Sequence, residues 1–128
     1  MLGLATRRSS LNVAQTVAAI QAELDRRGIP VAVVVDHSAA ARKAGLELPA
    51  TQVVIFGDPK AGTPLMQAAP EIALELPLRV MVRDDGGPGA LITWPDPTYL
   101  AQRYSLPSQE LSALKAPAGI VAAALEHR

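Results

Sequence analysis

The order of periodic segments predicts an α+β fold, a single domain with a mainly antiparallel sheet of about five strands and helices on one face. Three observations carry this reading. Val13, Val17, Ile20 and Leu24 recur at helical spacing. Leu76, Leu78, Val80 and Val82 alternate with Pro77, Arg79, Met81 and Arg83, the period of a strand with one core face. Residues 84–89, with three glycines and a proline, then separate that strand from a second apolar run, as a hairpin loop does.

Residues 2–8 read as a short first strand, and Ser9 or Ser10 offers a cap for the helix that follows. Gly28 and Pro30 stop that helix. Residues 31–35 are β-branched except for Ala32 and read as a buried strand. Ser38 starts a helical turn over 39–44 that Gly45 ends, and 46–49 is a connector to a third strand at 52–56. Thr63 then caps a short helix with Pro64 at its first position, and Pro70 prevents it from running past Ala69. Strands follow at 76–82 and 90–94. Asp96 caps a helix over 97–104, and a last helix runs from about Ser108 to the C-terminus, broken, kinked or restarted at Pro117.

Aromatic residues are only 3% of the 128, so the core has to be built from Val, Leu, Ile and Ala. Twelve basic and twelve acidic residues cancel, which removes the electrostatic term that dominates nucleic-acid binding and the polybasic signal for anionic membranes. With no cysteine, thiolate chemistry, disulfides and Cys-based metal sites are excluded. Two histidines, His37 and His127, are too few for a multi-histidine metal site, and no metal or other cofactor is expected. No apolar run reaches the length of a membrane span, and MLGLATRRSS has the wrong order for a signal peptide; a cytoplasmic location is the expectation.

The most informative stretch is IFGDPKAGTPLM, residues 55–66. Gly62 permits a turn, a helix opening at Thr63 presents backbone N–H groups, and Lys60 adds a full charge, a combination that suits a small anion. The same residues also describe a capped turn without a ligand. A nucleotide phosphate loop is excluded by order, since Gly, Lys and Thr are not consecutive and Pro59 lacks a donor. Asp36-His37 has the composition of a general acid–base pair, but neighbours on a strand face opposite ways, so a dyad requires the strand to have ended. Asp36 can instead cap the next helix. Arg42 and Lys43 suit that helix's last turn. Arg79 and Arg83 share a strand face and can attract an anion or pair with Asp84 and Asp85; Met66 reads as core filler and Trp94 as buried or interfacial.

The segments VVVDHSAAARKAGLELPATQVVIFGDPKAGTPLMQAAPEIALELPLRVMV and TWPDPTYLAQRY resemble the domain of unknown function 302 family, in order from about residue 33 to 104. The sequence departs from the family pattern at Asp58, where asparagine is usual, and at Trp94, where tyrosine is usual; the first adds negative charge to the loop. The resemblance implies a fold similar to the TATA-binding-protein-like β-α-β4-α class, a curved antiparallel sheet backed by helices, and a homodimer. It implies no DNA binding and no defined activity. It draws attention to the matched charged positions. The leading expectation is a homodimeric module holding a small anion at residues 57–63 through Lys60, Gly62 and Thr63, with His37 and Arg42 orienting it. The alternatives are an enzyme using His37 and Asp36 as acid and base with Lys60, and an interaction module without a small ligand.

Overall fold

In the computed structural model, which describes residues 2–126, five strands form one antiparallel sheet in the order β1-β5-β4-β3-β2. They are β1 (Leu4–Ser9), β2 (Val31–Asp36), β3 (Thr51–Phe56), β4 (Leu78–Arg83) and β5 (Ala90–Pro95). The last four follow one another as a meander. β1 returns to pair with β5 along its whole length, from Leu4 opposite Pro95 to Ser9 opposite Ala90. β1 and β2 therefore run parallel at opposite edges, and the chain between them must cross the sheet. Helix α1 (Val13–Arg26) does so: its 14 residues span about 21 Å, against about 19 Å for four interstrand spacings.

The α1 face predicted from spacing is the buried one. Val13, Val17, Ile20 and Leu24 pack with Val54, Phe56, Val80, Val82, Ile92 and Trp94 from one face of the sheet. Ile120, Val121, Ala124 and Leu125 of the last helix, α6 (Ala116–Glu126), complete that layer. The α1 cap lies later than Ser9 or Ser10. Asn12 accepts from the Gln15 amide at 2.8 Å while the Gln15 side chain accepts from the Asn12 amide at 3.1 Å, a reciprocal capping box. Ser9 is the last residue of β1, and its buried hydroxyl accepts from Leu11 N and Thr16 Oγ1 instead.

Glu23 is the buried carboxylate of α1, 4% exposed. Arg26 and Arg27 each approach it at 2.6 Å, and Arg27 also donates to Gly119 O of α6 at 3.4 Å. Hydrogen bonds from Arg26 and then Arg27 pull the Glu23 pKa down to about 2. Because the folded value lies below the unfolded one, this contribution to stability is complete above the ordinary carboxylate pKa and is lost as pH falls towards 2. Urea midpoints measured between pH 6 and pH 2.5 should fall with acidification, and Glu23→Gln should flatten that fall; an unaltered pH profile in the variant refutes the assignment.

The remaining elements gather at the ends of the strands. Helix α2 (His37–Lys43) follows β2 at one end. At the other end lie α3 (Pro59–Ala68), a 3₁₀ segment (Pro70–Glu75), α4 (Pro97–Arg103) and α5 (Leu111–Leu114). These four enclose a second, smaller core of Leu65, Ile72, Leu100 and Leu114. Asp96 caps α4 as its sequence implies, accepting from Thr98 N at 3.0 Å. Pro117 sits at the second position of α6, so it opens a helix rather than kinking one. Residues 127–128, including His127, lie outside the described part of the chain.

Two further expectations change. Residues 31–35 form an edge strand rather than a buried one, with Val31 36% and Val33 47% exposed. An apolar run signals burial, yet placement at an edge is set by strand order, which is not local. The helix expected to be capped by Thr63 begins five residues earlier, at Pro59, with Asp58 as its cap and Pro64 inside it.

Candidate functional site

The stretch 55–66 does border a cavity, but of a different kind from the anion loop. Asp58 takes the extended conformation of a cap, its Oδ1 accepts from Lys60 N at 2.9 Å, and Pro59 occupies the first helical position, where its missing N–H costs nothing. The helix N-terminus that would attract an anion therefore already holds the chain's own carboxylate. Lys60 is exposed, and its ammonium makes no ion pair among the described residues. Thr63 is an exposed residue of the helix interior and caps nothing.

Beside this helix is a cavity of about 330 Å³. Pro30 and Ala32 at the start of β2 form one side, Pro59 and Leu65 of α3 another, and Leu76 and Pro77 a third. The Leu76–Pro77 peptide is cis. Gly57, whose amide donates to Pro30 O at 3.1 Å, ties β3's end to the start of β2 and so joins two walls. Ala113 of α5 contributes from the second core. Only Asp58 and Thr63 among the bordering residues have polar side chains, and none is cationic. This is an apolar space at the small end of the range for ligand sites.

Gly62 borders it, and its backbone does not require a glycine. Its φ is not in the left-handed region, and an added Cβ would meet nothing closer than Leu76 Cδ1 at 3.7 Å. A glycine inside a helix costs about 1 kcal/mol relative to alanine. At this position the absent Cβ leaves the wall open beside Leu76.

The other site candidates lie elsewhere. Asp36 is opposite Gln52, and Val31 opposite Phe56, so α2 and α3 stand at opposite ends of the β2–β3 pair, roughly 20 Å apart along the strands. Asp36 caps α2: its Oδ1 accepts from Ser38 Oγ at 2.7 Å and Ala39 N at 2.9 Å, which lower its pKa. It is thereby engaged with Ser38 rather than with His37, which is exposed at the first position of α2. Arg42 is exposed and edges an open hollow with Glu47, Leu48 and Pro49. The structure thus groups Lys60, Gly62 and Thr63 on α3, and separates them from His37, Asp36 and Arg42.

Asp85 of the β4–β5 loop pairs with Arg8 of β1 at 2.6 Å, rather than with Arg79 or Arg83, and the arginine holds its pKa well below the usual carboxylate range. Arg103 approaches Glu75 at 3.6 Å, and Tyr104 donates to the same carboxylate, linking α4 to the 3₁₀ segment beside Leu76. Sequence reasoning missed the far walls of the cavity. Leu76-Pro77 was visible only as a strand start, and nothing local marks Pro30 or Ala113. Among the described residues no helix is long and apolar enough to cross a membrane, and no three His, Asp or Glu side chains cluster as a metal site.

The family profile described as Domain of unknown function DUF302 matches residues 5–124. Fluoride-specific ion channel FluC 1 of Brucella suis is 43% identical over 114 residues, which cover 89% of this chain and 45% of that protein. Fluoride-specific ion channel FluC 2 of Brucella melitensis is likewise 43% identical, with 42% of its length covered. The chain thus spans less than half the length of these curated relatives. Among solved structures, an uncharacterized conserved DUF302 protein from Bacillus stearothermophilus superposes with a TM-score of 0.80 over 98% of both chains, at 16% identity. That likeness shows the fold.

Proposed function

The chain belongs to the DUF302 family, and from that premise we propose that it is a small-molecule-binding module whose ligand occupies the cavity between α3 and the Leu76-Pro77 turn. The observation that carries the reading is Gly62, a helix-interior glycine with no backbone need to be one, on the wall of an apolar cavity of about 330 Å³. A body of mainly apolar surface fits there. An anion does not, because the bordering charge is Asp58 and Lys60 lies off the wall. The acid–base reading is disfavoured by Asp36 being engaged as a cap.

The test uses N-phenyl-1-naphthylamine, a neutral dye that brightens in apolar surroundings. It should bind the parent protein with one-to-one stoichiometry. Gly62→Leu should weaken binding at least tenfold while leaving stability unchanged or raised by up to about 1 kcal/mol. No binding to the parent, or equal binding to the variant, defeats the reading.

We infer also that a second copy pairs along β2. The other edge strand, β1, carries exposed Arg7 and Arg8, which blunt it against pairing. β2 has no charged residue between Val31 and Val35 and exposes Val33, and two such strands run antiparallel are complementary about a twofold axis. Light scattering should give twice the chain mass for the parent and the single mass for Val33→Lys. A monomeric parent, or a variant that stays dimeric, would refute the pairing. The cytoplasmic location expected from sequence forms part of the same reading.

A further inference from the structure

The cavity's one charged border residue narrows the chemistry of its occupant. The geometry points to a ligand with a compact apolar body and a hydrogen-bond donor, neutral or cationic, that Asp58 reads at the cavity border; this rests on the small-molecule reading above. Asp58 Oδ1 is committed to Lys60 N at 2.9 Å. Its Oδ2 accepts no hydrogen bond from the described residues, so the carboxylate keeps acceptor capacity.

The rest of the border sharpens the selection. Thr63 is the other polar side chain, a neutral hydroxyl, while Pro30, Leu65, Met66 and Leu76 offer only apolar contact. An ammonium or hydroxyl donor placed at Asp58 gains a charge-assisted hydrogen bond. A carboxylate in the same place meets like charge without a compensating cation. Proline and aliphatic walls also favour a body with little polar surface along its length, since a buried polar group there finds no partner. The ligand class is therefore a small apolar amine or alcohol rather than a phosphate, carboxylate or nucleotide.

A matched series reads this directly: 4-phenylbutylamine, 4-phenylbutanol and 4-phenylbutyrate, each displacing N-phenyl-1-naphthylamine from the full chain at pH 7. The amine and the alcohol should displace the dye, with the carboxylate at least about tenfold weaker than the amine. Asp58→Asn should erase the amine–carboxylate difference and weaken the alcohol too, by less than the amine, because Oδ1 stays with the cap and Nδ2 cannot accept a hydrogen bond; asparagine still caps α3, so the fold is retained. Equal displacement by all three, or displacement by none while the dye binds, overturns the assignment and leaves the small-molecule reading standing. Failure of the dye itself to bind removes both.

Discussion

Gly89→Ala is expected to lower stability by about 3 kcal/mol or more and to reduce the melting temperature by roughly 10 °C. Gly89 ends the β4–β5 hairpin loop at φ +65°, and a Cβ built there would lie 1.8 Å from Ser9 O. Two costs combine. The left-handed backbone penalises any side chain, by about 1–2 kcal/mol. The clash is with backbone rather than with a flexible side-chain tip, so relief requires the end of β1 to move. That end is held by Ser9 opposite Ala90 and, one residue back, by Arg8 donating to Pro88 O at 2.8 Å. Moving it also disturbs the Ser9 hydroxyl that accepts from Thr16 of α1. Gly28→Ala is the control. It shares a positive φ of +69° but has nothing within 4 Å, and should cost about 1–2 kcal/mol. Urea denaturation followed by circular dichroism separates the two, and equal midpoints would remove the role given to the Ser9 contact.

How far the fold and site could be read from sequence depended on whether the deciding energies were local. Helix α1 was legible because its four apolar positions fall on one face and that face is buried whatever it meets. The hairpin at 84–89 and the Asp96-Pro97 start of α4 were legible for the same reason, since turn and cap chemistry act within a few residues. The start of α3 was not. Asp58-Pro59 and Thr63-Pro64 carry the same signature of a capping residue followed by proline, and local energy does not choose between them. Starting at Pro59 gives a ten-residue helix that seats Leu65 among Ile72, Leu100 and Leu114; starting at Thr63 would leave little more than one turn. Tertiary packing decided. The edge position of β2 and the cavity walls share that non-local origin, because Pro30, Leu76 and Ala113 meet only when separate segments assemble. Residues 55–66 were thus singled out from sequence, whereas the apolar cavity they border was set by what packs beside them.

Leu65→Ala should be the most damaging single change at the cavity, at about 3 kcal/mol of lost stability. Leu65 is 1% exposed and belongs to the second core, whose buried members number four, one each from α3, the 3₁₀ segment, α4 and α5. No element there has another such side chain to take over, so the space left by truncation cannot be refilled cheaply. Leu74, 77% exposed on the neighbouring 3₁₀ segment, is the contrast, and Leu74→Ala should stay within about 0.5 kcal/mol of the parent. Because Leu65 also borders the cavity, its loss should act on binding as well as on folding. Ile20→Ala, in the main core beneath the sheet and away from the cavity, should cost a similar amount of stability. At a temperature where both variants remain folded, Leu65→Ala should bind N-phenyl-1-naphthylamine several-fold more weakly than the parent. Ile20→Ala should bind it as the parent does. Parallel losses in the two variants would mean that dye affinity merely tracks global stability; a loss confined to Leu65→Ala ties it to the wall of this cavity.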